Sequence, residues 1–148
     1  MSLDPDHFDP HALAVARWLT SRYAHLWDGR RYDDWILLFT EDAVFDWRGH
    51  VVRGRAAIQD LIGRGNAQRP HGPGAHVTTN VLASSSGDEI HAVADFAYLA
   101  TRDGRVECLM AGRTFDIYVD RDPWQLRYRA VRFLDDEEWA GYLPLAQR

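Results

Sequence analysis

Leu13, Ala16, Leu19, Tyr23 and Leu26 recur at intervals of three and four residues, which places them on one stripe of a helix. The stripe predicts a helix over about residues 11–27, with Asp9 as N-cap, Pro10 in the first turn and Gly29 as terminator. Asp33 or Asp34 starts a second, short helix that carries Trp35, Leu38 and Phe39 inward and breaks at Thr40-Glu41-Asp42. Residues 43–47 read as a strand that turns at Gly49-His50 into Val51-Val52. Gly54 leads into a third helix over about 55–64, with Ala57, Ile58, Leu61 and Ile62 as its buried face. The stretch from Gly63 to Gly74 holds four Gly and two Pro. It reads as a loop, placed as a mobile flap over a cavity entrance.

Four longer apolar runs follow, at about 76–83, 89–101, 106–119 and 124–134. Ser84 to Asp88, Arg102-Asp103-Gly104 and Asp120 to Pro123 supply turns between them. Residues 135–148 read as a short helix or tail. Helices first and a meander of antiparallel strands afterwards is an α+β pattern, and 148 residues suit one domain spanning 1–148. On the third long strand Leu109, Ala111, Phe115, Ile117 and Val119 share one face, while Cys108, Met110, Gly112 and Thr114 share the other. A sheet apolar on both faces must be covered on both. Helices cover one, and a second copy of the chain is the simplest cover for the other, so a homo-oligomer (dimer or trimer) is expected.

Composition narrows the partners. The formal charge is −5, there is no Lys, and no basic run stands out, which argues against binding a nucleic-acid backbone. No apolar run reaches the length of a membrane span. The single Cys108 rules out an internal disulfide and fits a reducing cytoplasm. No metal-binding, phosphate-cradling or dinucleotide motif is present, so neither metal nor cofactor is expected.

The candidate chemistry centres on Asp28, which follows Leu26 and Trp27 and precedes Gly29. A carboxylate on the apolar side of a helix end needs a partner. We read it as pointing into a pocket and pairing with His76. Imidazole titrates near working pH and suits a general base, and a buried carboxylate can orient it and stabilise the imidazolium. On the residues alone, a capping Asp28 and a hydrogen-bonded core His76 are the favoured reading. Arg129 alternates with Val131 and Phe133 and either faces the cavity or pairs with a neighbouring Asp. Arg113 and Thr114 have opposite parity, so only one of them faces the cavity. Asn80 shares a face with His76 and Thr78 by the period of two. Among the many aromatics, Trp47 and Phe39 are expected against a hydrophobic ligand. Asp46 or Asp95, if either lined the cavity, would favour an isomerase with an aspartate base.

F-T-E-D-A-V-F-D-W, the strand opening H-V-T-T-N, and the closing hairpin G-R-T-F-D-I-Y…W-Q-L-R-Y-R resemble the SnoaL-like branch of the NTF2-like superfamily, over roughly Leu13 to Leu134. The resemblance implies a cone: a curved antiparallel sheet wrapped around a cavity that helices close. It also implies a choice among functions, since this fold hosts dehydratases, dehydrochlorinases, isomerases, cyclases and plain binding domains. The finer similarity is to the lyase members, scytalone dehydratase, bile acid 7α-dehydratase and the lindane dehydrochlorinase. These carry an Asp at the end of the first helix and a His opening the first long strand, where Asp28 and His76 stand. Tyr23 resembles a tyrosine of the bile acid enzyme and Arg129 an arginine of the dehydrochlorinase. The second histidine of scytalone dehydratase is replaced here by Arg113 or a neighbour. The implied activity is a cofactor-independent lyase acting on a hydrophobic small molecule. His76 takes a proton, Asp28 orients it, and Tyr23 and Arg129 assist the departing group. An isomerase or polyketide cyclase in the same cavity, or a non-catalytic binding domain, are the alternatives.

Overall fold

The Asp9 carboxylate accepts a hydrogen bond from the Ala12 N–H at 2.9 Å, and Pro10 takes the first helical position. Capping and a preset φ therefore start α1, Pro10–Asp28, where the apolar stripe begins. In this computed structural model, residues 3–4, 6–67 and 73–136 are described, with 64–67 as backbone only. After α1 come α2 (Tyr32–Ile36), β1 (Phe39–Trp47), β2 (His50–Arg53) and α3 (Arg55–Ala67). Then follow β3 (Gly74–Ser86), β4 (Glu89–Arg102), β5 (Arg105–Val119) and β6 (Gln125–Phe133).

The strands form one sheet in the order β2-β1-β6-β5-β4-β3. All neighbours are antiparallel except β1 and β6, which are parallel. Two hairpins use successive residues with positive φ, Arg48-Gly49 and Asp103-Gly104, the conformation that matches strand twist. Register shifts interrupt four of the pairings, and such irregularities bend a sheet. The result is the α+β curved sheet that the sequence implied, with the helices over its concave face.

Two boundaries differ clearly from the sequence reading. Phe39 and Thr40-Glu41-Asp42 belong to β1, not to the end of the second helix. Pairing of Phe39 with Leu126 of β6 and complete burial of its ring draw that segment into the sheet. α3 runs on to Ala67, into the stretch expected to be loop. The rest of the expected flap, 68–72, and the tail, 137–148, lie outside the described residues.

Trp35, Phe39, Phe45, Ile58, Ile90 and Leu126 make the centre of the core between helices and sheet. On the opposite face a smaller cluster joins Val93, Phe115, Ile117 and Ala130 with Leu3, which is only 1% exposed. The chain's own N-terminal segment thus supplies part of the cover that motivated a second copy.

α1 is fastened to β3 at both ends. Asp9 also accepts from the Ser85 N–H at 2.9 Å and its hydroxyl at 2.6 Å. At the other end Asp28 accepts from the His76 N–H at 2.8 Å. Nineteen helical rises span about 29 Å, and nine strand rises from His76 to Ser85 span about 30 Å. The two lengths match, so both carboxylates reach the strand together.

The bonds from Ala12 and Ser85 hold the Asp9 carboxyl at about 2, below its ordinary value. Its stabilisation is therefore present above the ordinary carboxylate range and lost as pH falls through about 2. Asp9→Ala should destabilise the fold by about 1–2 kcal/mol at neutral pH, and denaturant titrations across pH should show that gap closing under acid conditions.

Candidate active site

Between α1, α3 and the concave sheet lies a cavity of about 200 Å³. Its wall is mostly apolar, with Trp27, Phe45, Trp47, Phe96, Met110 and Val131 among its residues. The polar side chains on it are Thr20, Tyr23, His76, Thr78, Thr114 and Arg129.

His76 sits near the start of β3, and Asp28 is the last residue of α1. The Asp28 carboxylate meets the imidazole Nδ1 at 2.6 Å through Oδ1, while Oδ2 takes the His76 backbone N–H. A carboxylate at a helix C-terminus is disfavoured by the helix dipole, and these two bonds offset that cost. Asp28 itself is not on the cavity wall. It stands behind His76, which corrects the expectation that it points into the pocket. Tyr23 and Asp28 therefore need not share a helix face: Tyr23 addresses the cavity, and Asp28 addresses β3. An acceptor at Nδ1 favours the proton there, which leaves Nε2 as the basic nitrogen of the neutral ring.

The imidazole is wedged by aromatic rings. Tyr98 lies 4.7 Å from it and Trp27 meets it edge-on at 6.4 Å. A Cβ at Gly74 would collide with the Tyr98 hydroxyl, so glycine there admits the ring that supports His76.

Deeper in the cone, Arg129 is 4% exposed and lies over the Tyr23 ring, 3.9 Å from its centroid. Its Nε and Nη2 donate to Asp116 at 2.7 and 2.8 Å, and the Tyr118 hydroxyl donates to the same carboxylate at 2.7 Å. Both readings of Arg129 thus hold at once: it lines the cavity and it is ion-paired. Burial works against its charge, but Asp116 holds the guanidinium pKa well above its ordinary value. Burial, then Asp116, push the Tyr118 hydroxyl upward. Thr114 also lines the cavity, and its buried hydroxyl has no hydrogen-bond partner among the described residues, a state that costs about 1–3 kcal/mol.

Two expected ligand contacts fall elsewhere. Phe39 is core, packed edge-on against Trp35 at 4.9 Å and not on the cavity wall. Asn80 is exposed and donates to Asp95 at 2.9 Å. The register shift between Thr79 and Leu82, with a positive φ at Asn80, breaks the alternation that would have aligned it with His76. Trp47 and Thr114 are on the wall as expected, whereas Arg113 pairs with Asp95. Asp46 pairs with Arg132. Burial opposes the charge of Asp46 and Asp95, yet Arg132 and Arg113 hold both carboxyls below the usual range. Neither lines the cavity, so the condition for an aspartate-base isomerase is not met. Among the described residues no group of three His, Cys, Asp or Glu side chains suits a metal, and no helix is long and apolar enough to cross a membrane.

Asp116, Trp27 and Tyr98 escaped the sequence reading of the site. Asp116 shares strand parity with Thr114, a signal the sequence holds, but its place opposite Arg129 is set by the register of β5 and β6.

The SnoaL-like domain model matches residues 13–140. The chain belongs to the SnoaL-like domain family. Among solved structures it is similar to an NTF2-like protein with a cystatin-like fold from Novosphingobium aromaticivorans. The two share 22% identity and a TM-score of 0.77 over 88% of this chain and 87% of that one. A putative aromatic ring hydroxylase from the same organism shares 26% identity and a TM-score of 0.72 over 86% and 92% of the two chains. Rv3472, a function-unknown protein from Mycobacterium tuberculosis, shares 25% identity and a TM-score of 0.72 over 81% and 70%. No match is found among curated proteins.

Removing one member of a buried ion pair strands the other charge. Asp116→Asn should lower stability by about 3–5 kcal/mol. Glu107→Gln, which breaks the exposed pair with Arg102, should cost about 0–1 kcal/mol. Chemical denaturation of both variants checks the contrast.

Proposed function

We propose that this SnoaL-like chain is a cofactor-independent lyase. It removes a proton from an acidified carbon of a hydrophobic small molecule and expels water or another small group. The observation that carries this reading is the 2.6 Å contact between Asp28 and Nδ1 of a histidine on the wall of an apolar cavity. That contact supplies what a general base needs. The contact favours one tautomer, the imidazolium is compensated by a carboxylate, and the cavity wall beside the ring is mostly apolar. The base is His76 and the orienting group is Asp28. Tyr23 and Arg129 line the same cavity as His76 and on this reading assist the departing group, and the Asp116 contact keeps Arg129 charged in a buried place. A lyase needs no redox partner, and the roles just named use only side chains of this chain.

The outward pairing of Asp46 and Asp95 favours the histidine base over an aspartate-base isomerase. A binding domain without chemistry is the competing reading. It is separated by turnover of a panel of bicyclic alcohols and halides whose departing group lies beta to an acidified C–H. The unmodified protein should release product from at least one member. His76→Ala should lose about 100-fold or more in kcat/KM, and Asp28→Asn should also lose activity while the fold is kept. Binding of panel members with no product, or a His76→Ala variant as active as the parent, would reject the lyase.

A further inference from the structure

Trp47 and Met110 each line two hollows. One is the cavity that holds His76, and the other is a groove of about 370 Å³ at the rim of the cone. The groove runs between Trp47-Arg48, the start of β5 and the end of β6, over Leu109, Ala111, Phe133 and Leu134. Both shared side chains are half-buried, as a partition with space on either side should be. Trp47 is the fixed part of it. Its ring stacks on Phe45 at 6.0 Å and meets Phe133 edge-on at 5.0 Å. Met110 is the part that can move, because an unbranched thioether has three rotatable bonds. Tyr98 pairs with Met110 and Leu99 with Cys108, so Leu109 is an extra residue and β5 bends directly beside Met110.

His76, Tyr98 and Met110 stand in one row across β3, β4 and β5. Two strand spacings put Met110 about 10 Å from His76 at the backbone. A ligand seated against His76 therefore has its far end at Met110. The cavity alone, about 200 Å³, falls below the roughly 300–1,000 Å³ of small-molecule sites. With the groove added, the site enters that range.

We infer that Met110 is a gate between the cavity and the rim groove, and that the ligand is an elongated apolar molecule. One end lies at His76, and an uncharged extension passes Met110 into the groove. Charge in the groove decides the chemistry of that extension. Arg48 lies over the Phe133 ring, 4.9 Å from its centroid, and donates to Asp135 and Asp136. Those charges answer one another, and a charged extension would have to displace a pair. An alkyl or aryl extension instead covers the apolar floor, including Leu134, which is 58% exposed. On the proposed lyase reading, on which the assignment of this ligand as substrate rests, the groove selects substrates by length.

The test is binding, without turnover, of 2-methoxy-, 2-butoxy- and 2-hexyloxynaphthalene to the whole chain, read by the anisotropy of naphthyl fluorescence. The groove is open on one side, so each added methylene should gain about twofold, half the free energy of full burial. The hexyloxy probe should then bind about thirtyfold more tightly than the methoxy probe. Met110→Phe sets a stiff ring in the passage and should remove that gain. Leu134→Asp alters an exposed position off the cavity wall. It should weaken the hexyloxy probe about tenfold and leave the methoxy probe unchanged. His76→Ala should keep the gain, so loss of the base and loss of the groove are read separately. A gain below about threefold in the parent, or a full gain in either Met110→Phe or Leu134→Asp, would overturn the gate. A gain that fades as protein concentration rises would assign the groove to a second copy and overturn it equally.

Discussion

The structure depends on a helix and a strand segment of matching length, α1 and the His76–Ser85 stretch of β3, joined at both ends by carboxylates. Asp9 takes hydrogen bonds from Ser85, and Asp28 takes them from His76. Between those clamps α1 lies along β3, and its apolar stripe closes one side of the cone. The two ends of α1 have opposite electrostatic character. An anion at the N-terminus is favoured by the helix dipole, and an anion at the C-terminus is not. The first clamp therefore stabilises the fold at little cost. The second holds a carboxylate in an unfavourable place, and it is the one that touches a titratable ring on the cavity wall. A structural fastening and a candidate catalytic pair are thus the same contact.

The cavity has two polar poles in an apolar chamber. At one pole the ring of His76 is set by Asp28 and pressed by Tyr98 and Trp27. At the other, Arg129 is held by Asp116 and faced by Tyr23, with the Thr114 hydroxyl nearby. Both cationic or potentially cationic groups have a dedicated carboxylate. A pocket built this way keeps charge buried without relying on solvent, which is the condition under which fixed dipoles act strongly on a reacting molecule. The outer-face carboxylates, Asp46 and Asp95, are engaged with arginines outside the cavity and do not disturb that arrangement.

Much of this was legible before any coordinates. The three-and-four spacing of α1, its Asp-Pro start and the turns that separate the long strands are local signals, and they placed the main elements to within a few residues. What was hidden was non-local. Phe39 reads equally well as the inner face of a helix or of a strand, and only its pairing with Leu126 decides. Asn80 follows the alternation of β3 until a bulge moves it out, and nothing in T-T-N-V-L announces the bulge. Asp28 and His76 were joined by the family resemblance, since the residues alone favoured a capping role. That the carboxylate stands behind the ring, not beside it in the cavity, depends on the backbone N–H of His76, which no side-chain pattern displays. Asp116 is the instructive omission. Its strand parity was available, but the antiparallel register that sets it opposite Arg129 was not.

The central claim is that Asp28 fixes the protonation geometry of His76. Heteronuclear NMR of the His76 ring nitrogens reads it directly. The account predicts that the neutral ring carries its proton on Nδ1, leaving Nε2 as the basic nitrogen, and that Asp28→Asn removes this bias. A ring protonated on Nε2 when neutral, or a tautomer indifferent to Asp28→Asn, would contradict it.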